Sequence, residues 1–261
     1  MPTPAPSAAT VGPTHEPHRF STPQQIYLWL ATFSAACLII ADIVGVKLFQ
    51  IPLPFSFTLP VVGEISSITH TCGMLTFPVT FLITDTVNEF YGKRAARRLI
   101  LLGFSMALFV FLVINVAQAM PAWDVPFNVT QSSFDSIFGS AKIMYIASLI
   151  AYVVGNLADI SLFGIIKKVT GGKMIWLRST GSTVISQFID SFFVTWIAFD
   201  IGRRMFPGGG TPMSMPEVLK TACTGYTLKF VIAIALTPVI YACHALLKRS
   251  FGLTPIRPDA N

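Results

Sequence analysis

Hydrophobic residues gather into six long runs separated by short polar stretches. The runs cover roughly Ile26–Val46, Cys72–Tyr91, Leu99–Met120, Ile143–Ile166, Ser179–Ile201 and Val218–Leu247. Each is about 20 residues or longer and apolar on most faces, which fits a membrane-crossing helix and not a barrel strand. The pattern predicts an all-α integral membrane protein, a bundle of six transmembrane helices. The last run is long enough to tilt or to project beyond the bilayer. Between the first two runs, Lys47–Thr71 carries Pro52, Pro54, Pro60 and Gly63, which break a helix. Alternation around Phe55 and Phe57 predicts a short outer hairpin or re-entrant loop that could cap an external cavity; a greasy connecting loop is the other reading.

Domain organisation follows from the same pattern. Residues 25–248 form one transmembrane domain. Residues 1–24, rich in Pro, Thr and Ala, read as a disordered cytoplasmic tail, and residues 249–261 as a second cytoplasmic tail. The N-terminus has no apolar core followed by a small-residue cleavage site, so it does not read as a secretory signal. Gly208, Gly209 and Gly210 lack a following Gly-Lys-Ser/Thr and read as a flexible turn, not a phosphate cradle.

Composition sharpens the class. The chain is 53% hydrophobic and only 11% charged, with a mean hydropathy of +0.66. Soluble domains carry about 25% charged residues, so a sizeable soluble domain is excluded. The net charge of +6 is no nucleic-acid footprint, because the basic residues flank the apolar runs. Twelve lie in alternate connections and tails: Arg19, Lys93, Arg94, Arg97, Arg98, Lys167, Lys168, Lys173, Arg178, Lys248, Arg249 and Arg257. Five lie on the other side: Lys47, Lys142, Arg203, Arg204 and Lys220. The excess places both termini in the cytoplasm. Arg178 reads as a topology anchor at the start of the fifth helix. The four cysteines are widely spaced and read as buried apolar residues, and His70 with Cys72 is too weak a pair for a metal site.

The chemistry lies in what interrupts the apolar runs. Asp42, Asp85, Glu89, Asp159, Asp190 and Lys229 all fall inside them. A charged side chain at the bilayer centre costs roughly 2.5–3.5 kcal/mol, so six unpartnered groups would oppose insertion by roughly 15–20 kcal/mol. Asp85, Asn88 and Glu89 share one helical face at i, i+3, i+4. Asn156 and Asp159 are i, i+3 on the fourth run. Thr183, Ser186, Gln187 and Asp190 form a stripe on the fifth, and Tyr226 and Lys229 are i, i+3 on the sixth. Polar groups in hydrocarbon need protein, water or ligand partners, and a shared interior cavity satisfies all four stripes. Lys229 can neutralise one carboxylate; the rest call for a proton or a donor-rich guest. Asp42 and Glu89 lie near helix ends and are expected to reach the interface. Single Asn, Ser and Thr residues more often join helices than bind solutes. Phe77, Phe81, Phe193 and Trp196 are placed to stack a planar ligand, although packing explains any one of them.

The run Thr84-Asp85-Thr86-Val87-Asn88-Glu89-Phe90-Tyr91-Gly92-Lys93 resembles the second-helix signature of the queuosine precursor transporter family, also called the vitamin uptake transporter family. Gly155-Asn156-Leu157-Ala158-Asp159 resembles its fourth-helix motif. Ser179-Thr180-Gly181-Ser182-Thr183 with Gln187 and Asp190 resembles its fifth. Tyr226 to Lys229 with Pro238 and Tyr241 resembles its sixth. The resemblance runs from about Ile26 to Lys248. It implies six helices and import of 7-cyano- and 7-aminomethyl-7-deazaguanine across the bacterial inner membrane, with no cofactor, no metal and no obligatory ATPase. The implied partners are a purine-like small molecule and membrane lipid, with no nucleic acid; a homodimer is compatible with this reading. The substrate residues it points to are Asp85, Asn88, Glu89, Asn156, Asp159, Gln187, Asp190, Tyr226 and Lys229. A guanine-like edge offers two N–H donors to a carboxylate and a carbonyl to Lys229 or Gln187. Two rivals stand beside it: a vitamin-binding subunit that works only with an ATPase module, and an intramembrane aspartyl enzyme. The second requires two aspartates to share a proton, which a nearby lysine disfavours.

Overall fold

The computed structural model describes residues 20–45, 47–59, 63–138, 142–205 and 211–256. Most of the predicted N-terminal tail and the glycines at 208–210 lie outside the described residues. Helix α1 spans Thr22–Val44. Ser21 and Gln24 form a reciprocal cap at its start, with the Ser21 amide donating to Gln24 Oε1 at 2.9 Å. Strands β1 (Leu48–Leu59) and β2 (Gly63–Thr71) pair antiparallel, with a register irregularity between Pro52 and Phe57. Pro52 and Pro54 have no N–H for a ladder, so the irregularity falls where the sequence puts them.

A 3-10 turn (Cys72–Thr76) leads into α2, Phe77–Phe90. Pro78 sits in its first turn, where no N–H is needed. Gly92, at φ 82°, turns the chain sharply into α3, Gly92–Ala119. That helix starts seven residues before the predicted run, so Lys93, Arg94, Arg97 and Arg98 extend it and are not loop residues. Hydropathy detects only the part of a helix that lipid covers. The apolar pattern does not predict the short helix α4, Gln131–Phe138, which buries no side chain.

Helix α5 covers Lys142–Val169 and α6 covers Ile175–Trp196; a π-turn (Ile197–Ile201) joins α6 to the four-residue α7, Gly202–Met205. The sixth predicted run divides into α8, Met215–Ala235, and α9, Thr237–Phe251. Pro238 is the cause, because its ring collides with the preceding turn and it donates no hydrogen bond. Among the described residues five helical stretches are long and apolar enough to cross a membrane: α1, α3, the stretch containing α5, the α6–α7 stretch and α8. The predicted second crossing is shorter, because α2 has only 14 residues.

The bundle is turned inside out relative to a soluble protein. Trp29 is 77% exposed and Phe109 62%, whereas Ser182 and Ser186 are 0% exposed. Apolar packing still joins the helices. Ala31 of α1, Ile83 and Val87 of α2, Leu99 and Ile100 of α3 and Ile160 of α5 form one cluster. Phe81, Ala233 and Ile240 tie α2 to α8 and α9.

Candidate functional site: a polar column along α6

Helix α6 carries Arg178, Ser179, Ser182, Thr183 and Ser186, all buried, and then Asp190. Twelve residues at about 1.5 Å each give this stripe a length of about 18 Å, over half the hydrocarbon thickness. Every acidic residue predicted for the site, Asp85, Glu89, Asp159 and Asp190, bonds from or belongs to this helix, and three tiers result.

At one end Glu89 is buried between two cations. Lys167 Nζ of α5 donates to Glu89 Oε2 at 3.0 Å, and the Arg178 guanidinium donates to Oε1. Arg178 also donates to the Gly172 carbonyl. Three sequence expectations are corrected here. Glu89 does not reach the interface; it is 5% exposed. Arg178 is no surface anchor and Lys167 no loop residue, because both are 2% exposed and held by that carboxylate. Their positions flanking apolar runs could not reveal this, since flanking bases are normally solvated. The chain beyond α9 folds back over the same tier, where the Ile256 amide donates to the Glu89 carbonyl at 3.0 Å and Leu253 is buried.

The middle tier has carboxylates and hydroxyls. Ser179 donates to Asp85 Oδ2. Asp159 Oδ1 accepts from Thr183 at 3.2 Å and Ser186 at 3.0 Å. Among the described residues neither aspartate has an ion-pair partner within 4 Å. Asn88 is buried on the same face of α2, and its Nδ2 has no hydrogen-bond partner.

In the third tier Lys229 of α8 pairs with Asp190, as the need for one neutralised carboxylate predicts. Gly155 of α5 allows this pair to form. A Cβ there would lie 2.9 Å from Asp190 Cβ, so any side chain would push α5 and α6 apart. Lys229 Nζ sits 5.9 Å from the centre of the Phe77 ring, which stacks on Phe81. His70 of β2 closes this end. Its Nδ1 accepts from the Thr71 amide at 2.9 Å, which leaves the proton on Nε2, facing Gly225 of α8. Burial, and then the Lys229 charge, lower the His70 pKa.

A cleft opens beside the first two tiers, between α2, α5, α6 and α9. Asp85, Glu89, Phe90, Phe163, Arg178 and His244 are among its lining residues. Buried atoms of three of them have no hydrogen-bond partner, Asp85 Oδ1, Arg178 Nε and His244 Nε2, although the last lies 3.9 Å from Glu89 Oε1. The cleft therefore presents an open acceptor beside open donors. It has room for about one water molecule, so a ring-sized guest enters only when these helices separate. Of the predicted site residues only Asp85 and Glu89 line it; Asn88, Asn156, Asp159, Gln187, Asp190, Tyr226 and Lys229 do not. Asn156 Nδ2 donates to the Tyr152 carbonyl, and Tyr226 packs edge-on against Phe188. The four stripes thus share a column, while the cleft touches only part of it.

Comparison with known proteins now bears on this arrangement. The profile of a family described as "Putative vitamin uptake transporter" matches residues 71–243. The chain belongs to this family. The vitamin uptake transporter match takes in α2, α5, α6 and α8, and hence every residue of the column. A "Probable queuosine precursor transporter" of Bacillus subtilis (strain 168) is 28% identical over 186 residues, 70% of this chain and 76% of the relative. A protein of the same description from Haemophilus influenzae is 33% identical over 58% of this chain and 61% of its own length. The "Queuosine precursor transporter" of Escherichia coli (strain K12) is 28% identical over 49% and 55%. No solved structure matches the chain.

Sequence reasoning misses Lys167 and His244 and gives Arg178 a lesser role. Arg178 carries a signal, because it directly precedes the Ser179–Thr183 motif. His244 carries a weaker one, as a histidine within the last apolar run.

Proposed function

We propose that this chain imports queuosine precursors, 7-cyano- and 7-aminomethyl-7-deazaguanine, across the bacterial inner membrane, and that it is not an enzyme. The observation that carries the reading is that Asp85 Oδ1 and Arg178 Nε, both buried and without a hydrogen-bond partner, line one cleft. A deazaguanine offers N–H donors from its ring and exocyclic amine to a carboxylate, and its carbonyl oxygen to a guanidinium. His244 extends the contact set along the same cleft, and the buried Asn88 amide becomes available as the helices separate. Asp159, Asp190 and Lys229, with Gln187, Asn156 and Tyr226, line the remaining route, and the Lys229–Asp190 pair opens as solute passes. The basic ends of α3 and α5 face the cytoplasm, which puts both termini there, six crossings between them, and the β1–β2 hairpin outside. No ATPase module is required.

The test is the tRNA queuosine content of a precursor-requiring strain that has no energy-coupling ATPase. Wild-type protein restores queuosine; Asp85→Asn and Arg178→Lys, inserted at equal levels, do not. Normal queuosine in both variants would refute the assignment of the cleft. Restoration only alongside an ATPase module would favour a vitamin-binding subunit.

A further inference from the structure

One intramembrane acid stands apart from the column. Asp42 lies near the end of α1, at the hairpin end of the bundle, and lines a second cleft with Phe111, Asn115, Lys142 and Tyr145. Its Oδ1 accepts from Ser148 of α5 at 3.3 Å, and its Oδ2 is buried with no hydrogen-bond partner. No described cation lies within ion-pair distance, although Lys142 lines the same cleft. The Tyr145 hydroxyl sits beside the carboxyl, yet it donates its one proton to the Ala107 carbonyl at 2.9 Å. With Oδ2 unpartnered and no described cation in reach, a charged carboxylate is poorly satisfied in this buried setting, whereas the neutral acid needs less compensation. The Tyr152 hydroxyl is the other titratable group in electrostatic reach on α5. Asn115 of α3, the remaining polar side chain of the cleft, donates back to the Phe111 carbonyl.

The same face of α5 continues inward. Ser148, Tyr152, Asn156 and Asp159 follow at spacings of 4, 4 and 3, within one helical stripe. The stripe spans about 16 Å, from the Asp42 partner to the Asp159 carboxylate that faces Thr183 and Ser186. Asp42 and the column are thus linked by one face of α5.

We propose that Asp42 is a proton-binding carboxyl at the hairpin end of the bundle, and that its protonation is coupled through α5 to solute movement along the column. One proton from the hairpin side converts the carboxylate to the acid, and the acid returns that proton to the opposite side during the transport cycle. The coupling rests on the transporter reading above; the proton site does not.

Two measurements separate these. Purified protein in liposomes should exchange labelled 7-cyano-7-deazaguanine without a gradient and accumulate it when the hairpin side is acidified. Asp42→Asn should still exchange label but lose gradient-driven accumulation, and Asp42→Glu should keep it. Accumulation by Asp42→Asn at the wild-type level, or wild-type accumulation indifferent to the pH gradient, overturns the coupling. Failure of wild-type exchange counts against the transporter reading instead. Independently of any solute, infrared difference spectra between acid and alkaline buffer should show a carboxylic-acid C=O band that Asp42→Asn lacks. An unchanged band in that variant overturns the proton site, and unaltered thermal unfolding shows that the variant is folded.

Discussion

Glu89→Gln tests the Lys167–Glu89–Arg178 tier most directly. Glu89 carries the negative charge shared by Lys167 and Arg178, and the side chains of all three are 3–6% exposed. Glutamine keeps the shape and one acceptor oxygen but turns an N–H donor toward a cation. Two buried positive charges then face each other with no anion between them. Breaking a buried ion pair by removing one partner costs about 3–5 kcal/mol, and the triad should fall in that range. Adding Lys167→Met removes the second charge and restores the wild-type net charge of the tier. Arg178 keeps two acceptors, the Gly172 carbonyl and the amide oxygen of the introduced glutamine. The double variant should therefore be more stable than the single one, because exchanging a whole buried pair for apolar atoms is close to neutral. Reversible unfolding of the purified protein in mixed micelles, followed by circular dichroism against rising dodecyl sulfate, reads both values. A Glu89→Gln loss below about 0.5 kcal/mol, the range of ordinary surface substitutions, would falsify the buried triad. So would a double variant less stable than the single.

Three other outcomes follow from the same geometry. Gly155→Val should destabilise the protein by about 1–3 kcal/mol through overpacking and abolish uptake, because its side chain meets Asp190; a variant with wild-type stability and uptake would show that α5 and α6 do not pack closely there. Lys229→Ala should abolish precursor uptake while leaving membrane insertion intact, since it strands Asp190 without its cation; normal uptake, measured with labelled precursor, would remove that pair from the route. The His70 pKa is lowered by burial and by Lys229, so the unfolded chain takes up a proton at a higher pH than the folded one. The stabilisation is complete above the unfolded value of about 6.5 and is lost as pH falls toward the folded value. Wild-type thermal stability should therefore drop more than that of His70→Asn between about pH 7 and pH 5, and parallel curves would contradict the buried setting of His70.

The sequence alone determined the class of this protein. Long apolar runs need internally satisfied backbone, so they had to be helices. It also named the acids of the column, because a carboxylate in an apolar run is costly enough to be conspicuous. Local sequence signals set several boundaries too: Pro238 divides the last run into α8 and α9, and Gly92 turns α2 into α3. Tertiary structure decided which charges meet. Lys167 and Arg178 look like ordinary flanking bases until α2 and α6 bring Glu89 between them, and no spacing rule links residues 78 or 89 positions apart. It also separated Asp42 and the Lys229–Asp190 pair from the cleft that Asp85 lines. The physical reason is range: periodicity fixes which residues share a face of one helix, while the pairing of faces depends on close approach, which residues as small as Gly155 permit.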